Sequence, residues 1–544
     1  MINQTHLILH NGNILTMAEE PLARAVAVNR EGRIIAVGAE DDVLNLRQSG
    51  TKTLDLRGRT LIPGFFDCHM HILWLGLNLG HVNLFGAHDK ETIIERLRDR
   101  LAQRPEQTCV QGNNYDQNTL PGAAHLTRHD LDRVATDRPV RIVALSGHAA
   151  VVNTRALELL GFRRETEDPV GGEIVRDAQG EPTGVLLETA SWSHLDRILP
   201  ETTAQDAIEA LGRANRYLLE RGITSATDAN TAPEEIAFFA QAVAQNRLQV
   251  RTNCMVGWKE IMEQVGDGQV PVPDELQPMH LGAHWHRIHV GQAKLFSDGA
   301  ITTRTAWLMQ PFEGMPDNYG IPLHPPAELK EYIRRAHCAG WQIATHAIGD
   351  RAVQLVLEAY AEAQRQHTRY RPGHRIEHCM LLDADHIARL RRQNIWSIGQ
   401  PEFLLRLGDA YILALGEERA QRLSPYATLE AQQVAQAFSS DDPVVPGAPL
   451  DGLRAAMERK TPGGVVLNAA ECLAPDVALF NYTLSPAFAT RTERDRGSIE
   501  AGKWGDFTLL SADPTATPLD SWESVQVEAT FVGGECLFGA ERWE

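Results

Sequence analysis

Two histidines separated by a single residue, His69 and His71, close the stretch Pro63–His71. In extended backbone this spacing puts both imidazoles on one face, because strand side chains alternate. Side by side at a strand end, they can chelate one divalent metal. The run before them, Leu61 to Phe66, is apolar and reads as a buried strand. A lone His-x-His is a weak sign, since many histidines only cap or hydrogen-bond. Four further residues, Lys294, His346, His378 and Asp441, each sit within or at the end of another apolar run. Taken singly they have ordinary readings. His346 and His378 read as satisfied core histidines, Lys294 as an ion-pair partner of Asp298, and Asp441 as a turn residue before Asp442-Pro443. Taken together, four histidines, a lysine and an aspartate would face one point. A bare buried lysine is costly unless neutralised. A metal-stabilised carbamate on its amine would remove that cost and add oxygen ligands.

The elements that must position these residues follow a barrel rhythm. Short apolar strands alternate with amphipathic helices, the pattern of a parallel (β/α)8 barrel. The strands are read at 61–66, 222–228, 248–256, 290–296, 342–346, 375–379, 395–399 and 437–441. In such a barrel, catalytic groups lie at the C-terminal ends of strands. The segment from about 72 to 200 breaks the rhythm and reads as an insertion after the first strand. Both ends of the chain read differently, as short strands with turn signals: Leu7–Leu9, a hairpin of 25–28 with 33–37, then 507–510 and 525–532 turning at Gly533-Gly534. We therefore expect an α/β protein with three parts: residues 1–60 and 490–544 form one small β-sandwich, and 61–489 form the barrel with its insertion.

Composition sets limits. The 544 residues suffice for two to four domains or one large barrel with additions. With 52 basic and 71 acidic residues the net charge is −19, which argues against nucleic acid or an anionic membrane as the main partner. The seven dispersed cysteines fit free thiols in a reducing compartment. No basic region followed by a long apolar core opens the chain, and no run approaches the ~20 residues of a membrane span. The expectation is a soluble cytoplasmic protein acting on a small molecule, with a homodimer allowed.

Seven motifs carry a resemblance to a known family: PGFFDCHMH (63–71), SGHAAVVN (146–153), AKLFSDGAITTRTA (293–306), THAIGDRAV (345–353), HRIEHC (374–379), SSDDPV (439–444) and GSIEAGKWGDFTLL (497–510). In this order, over nearly the whole length, they resemble the amidohydrolase superfamily of metal-dependent hydrolases, and within it the branch that contains the N-substituted formamide deformylases. The resemblance implies His69 and His71 as ligands of one metal, Lys294 as a bridging and often carboxylated lysine, and His346 and His378 as ligands of a second. It implies Asp441 as both ligand and general base. The cofactor would be one or two divalent ions, zinc foremost, with manganese or iron as alternatives. Such an ion lowers the pKa of water from ~15.7 to ~7, and the activated hydroxide would cleave a C–N amide bond of a small, largely apolar N-substituted amide or N-formyl compound. One departure is Ser439, where the branch commonly has glycine.

The substrate pocket is expected between the insertion and the loops after the strands, near Trp74, Trp307 and Phe403. His148 either reaches that pocket or braces the insertion. Tyr115 stands where relatives often have tryptophan and would shape the pocket. Arg304 either meets a substrate carboxylate or pairs with a loop acid. Two other readings stay open: a deaminase or cyclic-amide hydrolase on the same scaffold, and a non-catalytic regulatory protein on a retired enzyme fold. Mononuclear deaminases typically lack the bridging lysine, and retired relatives usually lose ligands.

Overall fold

The apolar run at residues 61–66 is two strands. The computed structural model describes residues 4–266, 268–277, 286–369 and 373–542; the first three and last two residues of the terminal segments lie outside it. Thr60–Pro63 pairs with Asn13–Leu15 and Phe507–Leu510, in a sheet built from both ends of the chain. The chain then turns through Gly64, and Phe65–Met70 enters a different sheet. Apolarity could not mark the break, because both strands are fully buried. Proline and glycine make it: Pro63 has no N–H to extend the ladder, and a Cβ on Gly64 would lie 2.1 Å from Thr224 Oγ1. That close approach sets the terminal sheet directly against the barrel.

The barrel sheet has eight parallel strands in sequence order: Phe65–Met70, Ile223–Thr231, Arg251–Gly257, Ile288–Phe296, Gln342–Ala347, Arg375–His378, Trp396–Gly399 and Gln436–Phe438. Two backbone hydrogen bonds close the seam just past the last strand, Asp441 N–H to His69 O at 2.8 Å and His71 N–H to Asp442 O at 2.8 Å. The first bond joins two candidate site residues, and the second joins His71 to Asp442, the neighbour of Asp441. Inside, the side chains of Asn253, Gln292 and Gln342 form an amide chain of 2.6 and 2.8 Å hydrogen bonds beneath Lys294.

Helices cover the barrel by ordinary local rules. Ala204–Leu219 starts on a capping box between Thr203 and Asp206 and buries Ala207, Leu211, Ala214 and Leu218, an i, i+4, i+7, i+11 stripe. Leu211→Ala there should cost about 2–5 kcal/mol.

Two more sheets come from the chain ends. One has four strands, from Thr5–His10, Ala25–Asn29, Ile34–Gly38 and Lys52–Asp55; the other has six, with Asn13–Leu15, Leu22–Ala23 and Thr60–Pro63 joined to Phe507–Leu510, Val527–Val532 and Glu535–Phe538. Leu7, Val26 and Val28 of the first share one buried cluster with Leu61, Phe507 and Phe531 of the second. Between the first two barrel strands in sequence lies a further six-stranded sheet, spanning Val82–Asn83 to Pro182–Glu188. The cysteines are unpaired. No helix among the described residues is long and apolar enough to cross a membrane.

Candidate metal centre

His69 lies inside the first barrel strand, fully buried, and His71 follows as the N-cap position of the helix Ile72–Asn78. Their Nε2 atoms approach Asp441 Oδ1 at 3.4 and 3.3 Å. Ligand atoms of these three residues all lie within 4.8 Å of one another. Asp441 is three residues past the end of the eighth strand, in left-handed backbone with φ 62°. A non-glycine residue holds that conformation only when its surroundings over-determine it. Here the seam hydrogen bond from its N–H does so.

Each histidine is held from behind. His69 Nδ1 meets Glu377 Oε2 at 2.5 Å, and Arg375 grips both Glu377 oxygens at 2.5 and 2.8 Å. Burial would raise the Glu377 carboxyl, but Arg375 and His69 hold it well below the carboxylate range. His69 therefore keeps Nε2 for the centre. His378, also in left-handed backbone at φ 69°, meets Gln400 Oε1 through Nδ1 at 2.9 Å. Gln400 in turn donates to Ser439 Oγ at 2.9 Å. Ser439 thus adds a hydroxyl to the support of His378. Burial pushes the His378 imidazole down to about 3.

Lys294, in the fourth strand, has Nζ 3.2 Å from His69 Nε2. Burial pushes its amine down to about 8, against the raising pull of Glu377 and Asp441. The ion pair with Asp298 does not form. Asp298 instead accepts N–H groups of Trp307, Ile348 and Gly349 at 2.8, 3.1 and 2.9 Å and stands 3.6 Å from His346 Nε2. It anchors the loops around the fifth strand. His346 also bonds the Gly299 carbonyl through Nε2 at 3.2 Å, and its ring lies 4.5 Å from His378 and 5.2 Å from His148.

His69, His71, Lys294, His346, His378 and Asp441 all line one cavity of about 1600 Å³, with Trp74 and His148. His148 arrives from the 82–188 sheet. There Ala149 pairs with Leu187 across antiparallel strands, so His148 falls opposite Glu188, and Nδ1 meets Glu188 Oε2 at 2.6 Å. Burial would lower the His148 imidazole; Glu188 outweighs it and raises it. Glu188 is fully buried at φ 49°, its Oε1 has no hydrogen-bond partner, and a Cβ on Gly299 would meet that atom at 2.1 Å.

Four pocket candidates lie off this wall. Tyr115 is buried in the core of the 82–188 sheet with its hydroxyl on His125 Nδ1. Arg304 meets Asn118 Oδ1 and the Thr302 carbonyl at 3.4 and 3.3 Å, rather than a loop acid. Trp307 contributes its main-chain N–H to Asp298. Phe403 stacks on the His378 ring at 6.1 Å. Sequence reasoning passed over Glu377, Arg375, Glu188 and Gln400. The one available signal was the charged pair inside the short buried run Arg375–His378.

The donor set suits a divalent cation. Asp441 Oδ1 is buried with no hydrogen-bond donor, yet two imidazole Nε2 atoms face it. Lone pairs converging on one point are stable only around positive charge.

A family model described as the amidohydrolase family matches residues 52–538. Amidohydrolase YtcJ of Bacillus subtilis (strain 168) is 30% identical, over 98% of this chain and 99% of its own length. The N-substituted formamide deformylase of Arthrobacter pascens is 27% identical over 98% of both chains. Among solved structures, an uncharacterized metal-dependent hydrolase of Pyrococcus horikoshii OT3 superposes with a TM-score of 0.74 at 26% identity, covering 94% of this chain and 99% of that one.

Proposed function

The chain belongs to the amidohydrolase family, and on that premise we propose that it hydrolyses the amide C–N bond of an N-substituted amide or N-formyl compound with a largely apolar arm. It is a metal-dependent enzyme of carbon–nitrogen hydrolysis. The kinship with an N-substituted formamide deformylase supports the choice of amide. The observation that carries the reading is the orphaned Asp441 Oδ1 between two imidazoles at the wall of a large cavity.

In this reading His69, His71 and Asp441 hold one divalent ion, zinc foremost. His346 and His378 would hold a second, and Lys294 as a bridging carbamate would serve both. The carbamate forms when the ammonium first gives up one proton and the free amine then adds carbon dioxide and releases a second, so that a buried cation becomes a carbamate anion. When bound, the metal acidifies water and polarises a carbonyl at neutral pH. Asp441 takes the proton of the attacking water and returns it to the departing amine nitrogen. Glu377 and Gln400 keep the His69 and His378 rings from turning. His148 and Trp74 meet the substrate on the wall. We also read the two end sheets as one small sandwich, and about 72–200 as an insertion that walls the cavity.

Elemental analysis and a panel of formamides, larger amides, esters and lactams on one metal-replete sample test this. The expected result is one or two equivalents of divalent metal and turnover confined to amides or formamides. Metal-free protein that added Zn²⁺, Mn²⁺ or Co²⁺ cannot activate would sink the metal assignment. Turnover of lactams or exocyclic amines alone would sink the substrate class.

A further inference from the structure

Arg141 is a buried cation with no ion-pair partner among the described residues. It lies on the strand Val140–Ala144, is 8% exposed, and lines the same cavity as the metal centre. Its Nη2 reaches the Ser191 carbonyl at 3.4 Å, and its Nε has no partner. Two more guanidiniums share this end of the cavity. Arg100 bonds the carbonyls of Gly80 and His81 at 2.8 and 3.2 Å, and Arg213 bonds the Gly76 carbonyl at 3.0 Å. Among the described residues, none of the three forms an ion pair with a carboxylate. Their field meets at His81, whose imidazole burial, then Arg141, Arg100 and Arg213, push down to about 4. Burial lowers Arg141 itself to about 10, which leaves it charged at neutral pH. In a chain of net charge −19, acids are plentiful, and a buried guanidinium without one is costly.

The strand connects this end to the metal centre. Alternation puts Arg141 and Val143 on one face, and both line the cavity. Arg141 pairs with Val152 and Val143 with Ala150, so His148 lies four steps further along, roughly 13 Å at strand rise. Trp74, Leu77 and Val143 give the wall between an apolar surface.

We propose that Arg141, with Arg100 and Arg213, binds a carboxylate at the far end of the substrate, so that the enzyme acts on an elongated amide with an apolar middle and an anionic terminus. The proposal rests on the amide-hydrolase reading for the reactive end. A guanidinium fork matches a carboxylate bidentately, and desolvation makes such a pair stronger and more selective than a surface pair.

The test uses the full, metal-loaded chain and three substrates of equal length: N-formyl-8-aminooctanoate, its phosphonate counterpart and neutral N-formyl-octylamine. The carboxylate should exceed the neutral compound by at least about tenfold in kcat/KM, chiefly through KM. Arg141→Met should collapse that ratio, and Arg141→Lys should restore part of it. Calorimetry with 8-aminooctanoate, which needs no turnover, should show the same loss of affinity in Arg141→Met. Arg100→Gln and Arg213→Gln, at partly exposed positions, carry the same comparison if Arg141→Met does not fold. Turnover of the neutral formamide with no carboxylate advantage, and equal 8-aminooctanoate affinity in wild type and variants, overturns the anion site and leaves the hydrolase reading intact. No turnover of any formamide, with Arg141-dependent binding of 8-aminooctanoate, does the reverse. A preference for the phosphonate overturns the assignment to carboxylate.

Discussion

Asp441 and Asp506 are both buried aspartates, at opposite ends of the barrel. Asp506 precedes the strand Phe507–Leu510 and receives Arg251, which opens the third barrel strand. Its Oδ2 accepts Arg251 Nε at 2.6 Å, and its Oδ1 accepts Arg251 Nη2 at 3.0 Å and Gly533 N–H at 2.8 Å. Trp504 lies 4.2 Å from the same guanidinium. Every oxygen has a donor. At the mouth, Asp441 Oδ1 has none and faces two nitrogen atoms instead. The closed cluster locks a terminal sheet to the barrel, whereas the open one leaves a buried carboxylate oxygen without a donor. Both are buried carboxylates, and in this pair the difference lies in whether every oxygen has a donor.

Breaking the base should give the largest change. Arg251→Met leaves Asp506 buried and uncompensated, and should cost about 3–5 kcal/mol of stability. Urea unfolding would read this as a lower midpoint, with metal content of the folded fraction unchanged. Equal stability would show that the base cluster is as dispensable as a surface pair.

Breaking the mouth should do the opposite. Asp441→Asn should lower kcat by at least the ~10²-fold of a lost general base, while the melting temperature hardly moves. Near-wild-type turnover in a metal-replete Asp441→Asn would remove this residue from the proton transfer. Asp442→Asn should keep much of its rate, because the Asp442 carboxyl neighbours Arg221, Glu402, Asp67 and Tyr217 and does not line the cavity.

The contrast also explains what the sequence could reveal. The groups facing the cavity from the barrel sit near the ends of its strands or just past them, so an apolar run that closes on His, Lys or Asp marks them. Their supports carry no such mark. Glu377 is 308 residues from His69, and Glu188 is 40 from His148. Only the closed barrel and the strand register bring each pair together. Tyr115 and Arg304 were chosen for residue type and nearby motifs, and neither spacing nor type reveals that they lie outside the lining of the cavity. The break at Gly64 was hidden because strands of two different sheets are equally apolar there. Glu377→Gln tests the value of such a support. It should weaken metal affinity by about 10–100-fold, measured by competition with a chelator. Unchanged affinity would make Glu377 a core ion pair like Asp506.

The smallest effect expected is the pH dependence of the base. Burial alone would raise the Asp506 carboxyl; the Arg251 charge and hydrogen bonds, with the Gly533 N–H, outweigh it and hold it below its ordinary 3.8. A carboxylate with a depressed folded pKa binds fewer protons folded than unfolded. Its contribution is therefore complete above the unfolded value and is lost as pH falls through the folded one. In Asp506→Asn the group is neutral at every pH, and Arg251 is left without its partner throughout. The variant should be less stable than wild type near pH 7, and the gap should narrow only below about pH 4. Taking the difference between two chains that share every other carboxylate cancels the general acid unfolding of the protein. Melting curves of both from pH 7 to pH 3 decide the matter. A gap that stays constant over the whole range would mean that the Asp506 carboxyl titrates alike in the folded and unfolded chain. The Arg251 charge would then not favour its ionised form, and the contrast with Asp441 would lose its electrostatic half.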